Sequence, residues 1–211
     1  MATVFDAATD GIIPSTRVCK VHLFRHPEVL GASERLCRGH MDVDLSERGR
    51  AQLRAAAERW PGPYDAVYSS DLKRCSQLAQ ALGSPRMTPL LREQDMGLWE
   101  GRTWAALTAE DPAGTTRYWD DYVNAKPPGG ESFGEAAARV VAWWAATQPT
   151  LPHSAEVAIV THIGSIRALL CAWMGMPVSD GLRWAPGYAT HTEVLLADAG
   201  AVIVAAGERA R

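Results

Sequence analysis

Val157-Ala-Ile-Val-Thr-His-Ile-Gly-Ser-Ile-Arg-Ala-Leu-Leu-Cys-Ala-Trp173 decides the fold. Val157 to Thr161 is a continuous apolar run of strand length. Within a few residues the pattern changes period, with Ile166, Leu169, Leu170 and Trp173 at i, i+3, i+4 and i+7 of a helix. Gly175 and then Pro177 mark its end. A buried strand running straight into a helix is half of a βαβ unit, and the alternation recurs outward from here. Val18–Phe24 and Ala66–Ser69 read as strands. Ser46 reads as the cap of a helix carrying Leu53, Ala56, Ala57 and Trp60 on one face. Ser70 or Asp71 is expected to cap a second helix, with Leu72, Cys75, Ala79 and Leu82 inward. Ser132-Phe-Gly-Glu135 fits a capping box opening a third through Val140, Val141 and Trp144. Thr192–Leu196 and Ala201–Val204, joined by Asp198-Ala-Gly200, form an expected antiparallel hairpin. Met87–Leu91 is a candidate short strand, edge or irregular because of Pro89. Helical material between Thr103 and Asn124 ends at Lys126-Pro-Pro-Gly-Gly130. Strands alternating with helices predict an α/β fold with a largely parallel sheet.

The chain has 211 residues, 47% apolar and 21% charged, the composition of an ordinary globular protein. A net charge of −3 argues against a nucleic acid or an anionic membrane as main partner. No run approaches the roughly 20 apolar residues of a membrane helix. Residues 1–17 contain Asp6 and Asp10 and no basic n-region, so they read as a flexible N-terminal tail rather than a secretory signal. Residues 18–211 are expected to form a single domain. Cys19, Cys37, Cys75 and Cys171 are widely spaced, with no C-x-x-C pair and no zinc-type cluster, which predicts buried thiols in a cytoplasmic protein and no metal or other cofactor.

In open α/β sheets ligands sit beyond the carboxyl ends of parallel strands. Three such ends lead into Arg25-His26-Pro27, Ser69-Ser-Asp-Leu-Lys-Arg74 and Thr161-His162-Ile-Gly164. They deliver two arginines and two histidines to one rim. Guanidinium groups hold a phosphate dianion through bidentate hydrogen bonds at any working pH. Helix N-termini, which Arg74 and His162 adjoin, add free N–H groups. A neutral imidazole facing phosphorus in such a cup is a nucleophile, and the missing part is an acid for the leaving alcohol.

Arg25-His26, Ser69-Ser-Asp-Leu-Lys-Arg74, Leu91-Arg-Glu93 with Gly97-Leu-Trp-Glu-Gly101, Gly129-Gly-Glu-Ser132 and Thr161-His162 resemble, in order and spacing, the histidine phosphatase superfamily, which has the phosphoglycerate-mutase-like fold. Gly39-His-Met-Asp42 and Leu45-Ser-Glu-Arg-Gly49 look like its G-x-x-D and L-x-x-x-G segment. The likeness covers about residues 18 to 206. It implies a three-layer α/β/α sandwich with a mostly parallel six-stranded sheet, and with room for one antiparallel edge strand. It implies that His26 takes the phosphoryl group, that Arg25, Arg74 and His162 hold the phosphate oxygens, and that Glu93 is general acid and then general base. The expected partner is a small phosphate ester hydrolysed without metal, and the alpha-ribazole-phosphatase-like branch is the most similar. Mutase-type transfer and a non-catalytic or repurposed phosphate-binding module are the rival readings. The intact Glu93 speaks against the last, and the absence of an extended W-N-rich segment between Val29 and Asp42 speaks against the mutase.

Around this core, Arg38, His40, Glu28 and Ile163 are candidate substrate contacts. Pro27, Val29 and Ile163 depart from the family's usual R-H-G-x-T/S signature and the glycine after the second histidine. His22 is expected to be a satisfied core or edge residue and His153 a solvated turn residue; His191 stays open. Arg102 and Arg167 read as helix-surface charges, and Trp99 as packing beneath the Glu93 loop. Helical parity turns Cys75 to the core. Trp143 and Trp144 read as helix–sheet packing, with a homodimer left open by this Trp-rich helix.

Overall fold

The computed structural model describes residues 18–210, so the expected tail at residues 1–17 lies outside the described residues. Its sheet has the order β3-β2-β4-β1-β5-β6, formed by β1 (Val18–Arg25), β2 (Ala66–Ser70), β3 (Pro85–Thr88), β4 (Glu156–Thr161), β5 (Thr190–Ala197) and β6 (Gly200–Arg209). The first four strands are mutually parallel. β5 pairs antiparallel with β1, and β6 antiparallel with β5. The reversed strand is therefore β5, one position inside the sheet, while the edge strand β6 runs with β1. The tight turn at Asp198-Ala199 causes this, because a hairpin appended to an antiparallel strand restores the original direction.

Period-two alternation along the central strands separates two cores. Val21, Leu23, Val157 and Ile159 face α5 (Phe133–Thr147) and α6 (Ile163–Trp173), meeting Val140, Ile166 and Leu169. Phe24, Ala158 and Val160 face α1 (Glu47–Arg59) and α2 (Lys73–Leu82), meeting Ala56, Cys75 and Leu78. Every residue of β2 is buried, as expected of a strand covered on both faces. Trp143 and Trp144 lie within the first core, as the reading of helix–sheet packing expects.

The helix starts follow the capping chemistry. Ser46 Oγ accepts from Gly49 N, and Ser132 and Glu135 complete their reciprocal capping box. One such bond is worth about 1 kcal/mol. α2 departs from expectation: its N-cap is Leu72, with no side-chain cap, because Asp71 is turned to Arg92 in a bidentate pair and Ser70 to His162. β3 ends at Thr88, where Pro89 opens a 3₁₀ turn capped by Thr88 Oγ1. The span after Thr103 divides into α3 (Trp104–Glu110) and α4 (Pro112–Asp120), since Pro112 cannot continue a helix and Asp111 caps the next one. A small third core of Cys37, Met96, Trp99, Leu107 and Tyr118 joins α3 and α4 over the carboxyl end of the sheet. Among the described residues no helix is long and apolar enough to cross a membrane.

Candidate active site

The carboxyl ends of β1, β2 and β4 open into a cavity of about 340 Å³, lined by Arg25, His26, Arg38, Arg74, Glu93, His162 and Ile163 among others. Seven of the nine candidate residues named from sequence thus share one wall-to-wall space. Glu28 and His40 are not among its lining residues. Glu28 is turned toward α1, where its carboxylate accepts from Ser46 Oγ at 2.9 Å and pairs with Arg48. His40 lies 3.1 Å from the Glu93 carbonyl through Nε2 and 3.6 Å from Asp95, which makes it a brace for the Glu93 loop.

His26 follows β1 directly and is 6% exposed. Its Nδ1 lies 2.8 Å from the Pro27 carbonyl, which can only accept, so Nδ1 bears the proton and the neutral ring keeps its lone pair on Nε2. Burial, then the Arg74 and Arg25 charges, hold its pKa well below 6.5, and the ring is neutral at physiological pH. Pro27 costs nothing here, because the bond uses its carbonyl rather than the missing N–H.

Arg74 is buried in the first turn of α2 and makes a fixed hub. Nε donates to His162 Nδ1 at 3.2 Å, and its terminal nitrogens donate to the Gly39 and Met41 carbonyls at 2.7 Å each. These bonds use three of a guanidinium's five N–H groups, leaving two for a ligand. His162, the N-cap of α6, therefore accepts at Nδ1 and donates from Nε2 to Ser70 Oγ at 2.9 Å. Both nitrogens are engaged with protein, so in this conformation His162 holds Arg74 rather than offering a free N–H to phosphate.

Arg25 donates to the Pro186 carbonyl at 2.6 Å, and its guanidinium lies 4.3 Å from the centroid of the Tyr188 ring. Burial lowers its pKa from the ordinary 12.5, an arginine that still carries its charge. Its Nε is buried with no hydrogen-bond partner, and so are Arg38 Nε and Tyr122 Oη. All three belong to residues that line this cavity. These atoms are themselves buried, as are the unpartnered Trp173 Nε1 and His191 Nδ1, whose residues do not line the cavity.

Glu93 stands across from them on a rigid loop. Thr161 Oγ1 donates to the Leu91 carbonyl, Ser165 Oγ to the Arg92 carbonyl, and Arg139 from α5 to the Leu90, Arg92 and Glu93 carbonyls. The carboxylate accepts from Gln94 N at 3.0 Å and from Gly164 N at 3.1 Å, at the positive end of α6. A Cβ on Gly164 would stand 2.1 Å from Glu93 Oε1. Gly164→Ala is therefore expected to displace the carboxylate and lower kcat roughly 10- to 100-fold at near-wild-type KM. Steady-state kinetics, with circular dichroism as the folding control, checks this.

The sequence reading missed several wall residues. Arg167 lines the cavity and donates to the Trp184 carbonyl at 2.7 Å, so it is not a free surface charge. Tyr188 comes from the loop before β5, where no periodicity signals it. Trp104, Tyr118, Trp119, Tyr122 and Phe133 form an aromatic wall from α3, α4 and the start of α5. Their only sequence signal is the aromatic density of 99–133. Cys75 is buried as parity predicts, and burial pushes its thiol pKa up. On the α1-facing side of the sheet, His22 is satisfied by His191 and Glu156. Burial lowers both imidazole pKa values, His191 to about 3.

Relatives share this chain's pattern over most of its length. Glucosyl-3-phosphoglycerate phosphatase of Mycolicibacterium vanbaalenii is 33% identical over 183 residues, covering 78% of each chain. A 2,3-bisphosphoglycerate-dependent phosphoglycerate mutase of Brucella melitensis is 30% identical over 173 residues, 76% of this chain and 84% of the mutase. The crystal structure of the alpha-ribazole phosphatase from Shigella flexneri superposes with a TM-score of 0.84 over 90% of this chain and 97% of its own, at 24% identity, which is a likeness of fold. Residues 21–209 match the family model of the histidine phosphatase superfamily (branch 1), and the chain belongs to that superfamily.

Proposed function

We propose that this protein is a phosphomonoesterase that hydrolyses a small phosphorylated metabolite through a phosphohistidine. The observation that carries this reading is the convergence on one cavity of Arg25, Arg38 and Arg74 with the neutral imidazole of His26 and the carboxyl of Glu93. A phosphate dianion matches this cationic lining. His26 Nε2 attacks phosphorus in line, forming the P–N bond as the P–O bond to the alcohol breaks. Glu93 gives its proton to the leaving oxygen. It then takes a proton from the water that attacks the phosphohistidine, so the second step returns His26 neutral and Glu93 protonated, with inorganic phosphate as product. Arg25, Arg38 and the two spare N–H groups of Arg74 stabilise the transition-state charge, and His162 positions Arg74.

On this reading the guanidinium groups do the work of a metal ion, and the reaction is metal-independent. The aromatic wall with Arg167 suits an organic moiety with flat or apolar faces and polar rim groups, and the cavity volume suits a metabolite rather than a protein. Four free, buried thiols support a cytoplasmic setting. The Brucella mutase relative favours a second reading, phosphoryl transfer to an acceptor alcohol. One experiment tests both. Release of inorganic phosphate from p-nitrophenyl phosphate, 3-phosphoglycerate, glucosyl-3-phosphoglycerate and alpha-ribazole phosphate is measured in EDTA, with and without an acceptor alcohol. Hydrolysis that persists in EDTA and is inhibited by vanadate is the expected result. Phosphate appearing only on the acceptor establishes the mutase instead.

A further inference from the structure

The α1-facing side of β1 and β5 holds two histidines for which the phosphatase chemistry has no use. His22 and His191 are 6% and 1% exposed, and His22 Nδ1 lies 2.8 Å from His191 Nε2. The other His22 nitrogen, Nε2, lies 2.8 Å from Glu156 Oε1. A carboxylate only accepts, so that Nε2 carries a proton. With one proton between the facing nitrogens, His191 must supply it from Nε2, and its own Nδ1 is left bare. That Nδ1 is buried, has no hydrogen-bond partner, and stands 3.5 Å from Glu208 Oε2. A bare, buried nitrogen thus faces the half-exposed carboxylate of Glu208 with no proton between them, a contact of two acceptors that leaves the ring nitrogen unsatisfied.

A cation between the rings removes the conflict. Both inner nitrogens then present lone pairs to it, and both outer nitrogens carry protons, one donated to Glu156 and one to Glu208. Histidines that bind metals regularly donate their second N–H to a carboxylate in this way. A third ligand is at hand: Glu193 stands opposite His22 in the β1–β5 register, and one donor atom from each of His22, His191 and Glu193 lies within 4.8 Å of the others. Among the described residues the Glu193 carboxylate has no hydrogen-bond partner. We propose that His22, His191 and Glu193 form a binding site for a divalent transition metal of the zinc class, with Glu156 and Glu208 orienting the two imidazoles.

Two imidazoles and one carboxylate are a zinc ligand set that leaves a fourth position for water. Nitrogens bound to tetrahedral zinc lie about 3.3 Å apart, so the rings open by roughly half an ångström. The carboxylates Glu156, Glu193 and Glu208 stand around the pair and balance the cations Lys20, Arg59 and Arg209. An open cavity lined by Arg59, Trp60, Glu208 and Arg209 adjoins the pair, with the Trp60 ring 4.6 Å from that of His191. None of the ligands lines the phosphate cavity. The metal therefore ties β1 to β5 behind the strand that presents Arg25 and His26, and takes no part in phosphoryl transfer.

The test is titration of the metal-stripped full-length protein with Zn²⁺ by calorimetry and with Co²⁺ by visible absorption. One saturable site per chain, a tetrahedral Co²⁺ spectrum and a raised Tm are expected, with phosphatase activity unchanged by the metal. Glu193→Gln, at a half-buried position, should weaken binding at least about tenfold while keeping fold and activity, and His191→Gln should abolish it. No saturable binding overturns the proposal and leaves a second proton as the group that satisfies His191. Binding unaltered in both variants overturns it equally, by placing the metal elsewhere.

Discussion

His26→Ala is expected to lower kcat by about 10³-fold or more, with no phosphoenzyme trapped when the reaction is quenched. The expectation rests on direction as well as identity. The bond from Nδ1 to the Pro27 carbonyl fixes the ring and leaves Nε2 as the only lone pair, toward a space lined by Arg25 and Arg74. Alanine removes the nucleophile without touching the cationic cup, so substrate binding should persist and KM should change far less than kcat. Truncating this buried ring costs roughly 1–3 kcal/mol through the lost bond, little enough for the fold to survive. The check is a rapid-quench experiment with labelled substrate, comparing the acid- and base-stability of any labelled protein. Retained turnover in the variant, or label on another residue, would remove the covalent route through His26.

Glu93→Gln is the second large effect, and its signature is selectivity. The amide is nearly isosteric and its oxygen can still accept from Gly164 N; its NH2 group loses the bond from Gln94 N, while Arg139, Thr161 and Ser165 still hold the loop. What it cannot do is release a proton. For alkyl phosphates, whose alcohols leave poorly unless protonated, the expected loss is about 10²- to 10⁴-fold. p-Nitrophenol leaves without help, and formation of phosphohistidine from its ester should slow much less. Hydrolysis of the intermediate also needs the carboxylate, so the variant should accumulate phosphoenzyme with the aryl substrate. A burst of p-nitrophenol in stopped flow reports this. Equal slowing of both ester classes, with no burst, would strip Glu93 of the acid role.

The fold was readable because its signals are local. Period-two strands passing into period-3.6 helices, Ser46 and Ser132 as caps, and Gly175 as a stop need only neighbours in the chain. The cavity-forming residues at strand ends were readable for the same reason, since topology fixes where a strand end points. Failures occur where long-range partners compete. Asp71 and Ser70 look like caps for α2, but Arg92 and His162 bind them more strongly than a helix N-terminus does. Glu28, two residues after His26, is pulled away by Ser46 and Arg48. Arg167 has the spacing of a surface charge, and only the fold of the loop carrying Trp184 turns it into the cavity. The pairing of His22 with His191, 169 positions apart, has no signature in either neighbourhood.

The cationic lining of the cavity treats substrate and product alike. Free inorganic phosphate presents the same oxygens to Arg25, Arg38 and Arg74 as an ester does, so it is expected to inhibit competitively. Initial rates of ester hydrolysis against added inorganic phosphate check this, with a raised KM at constant kcat as the expected result.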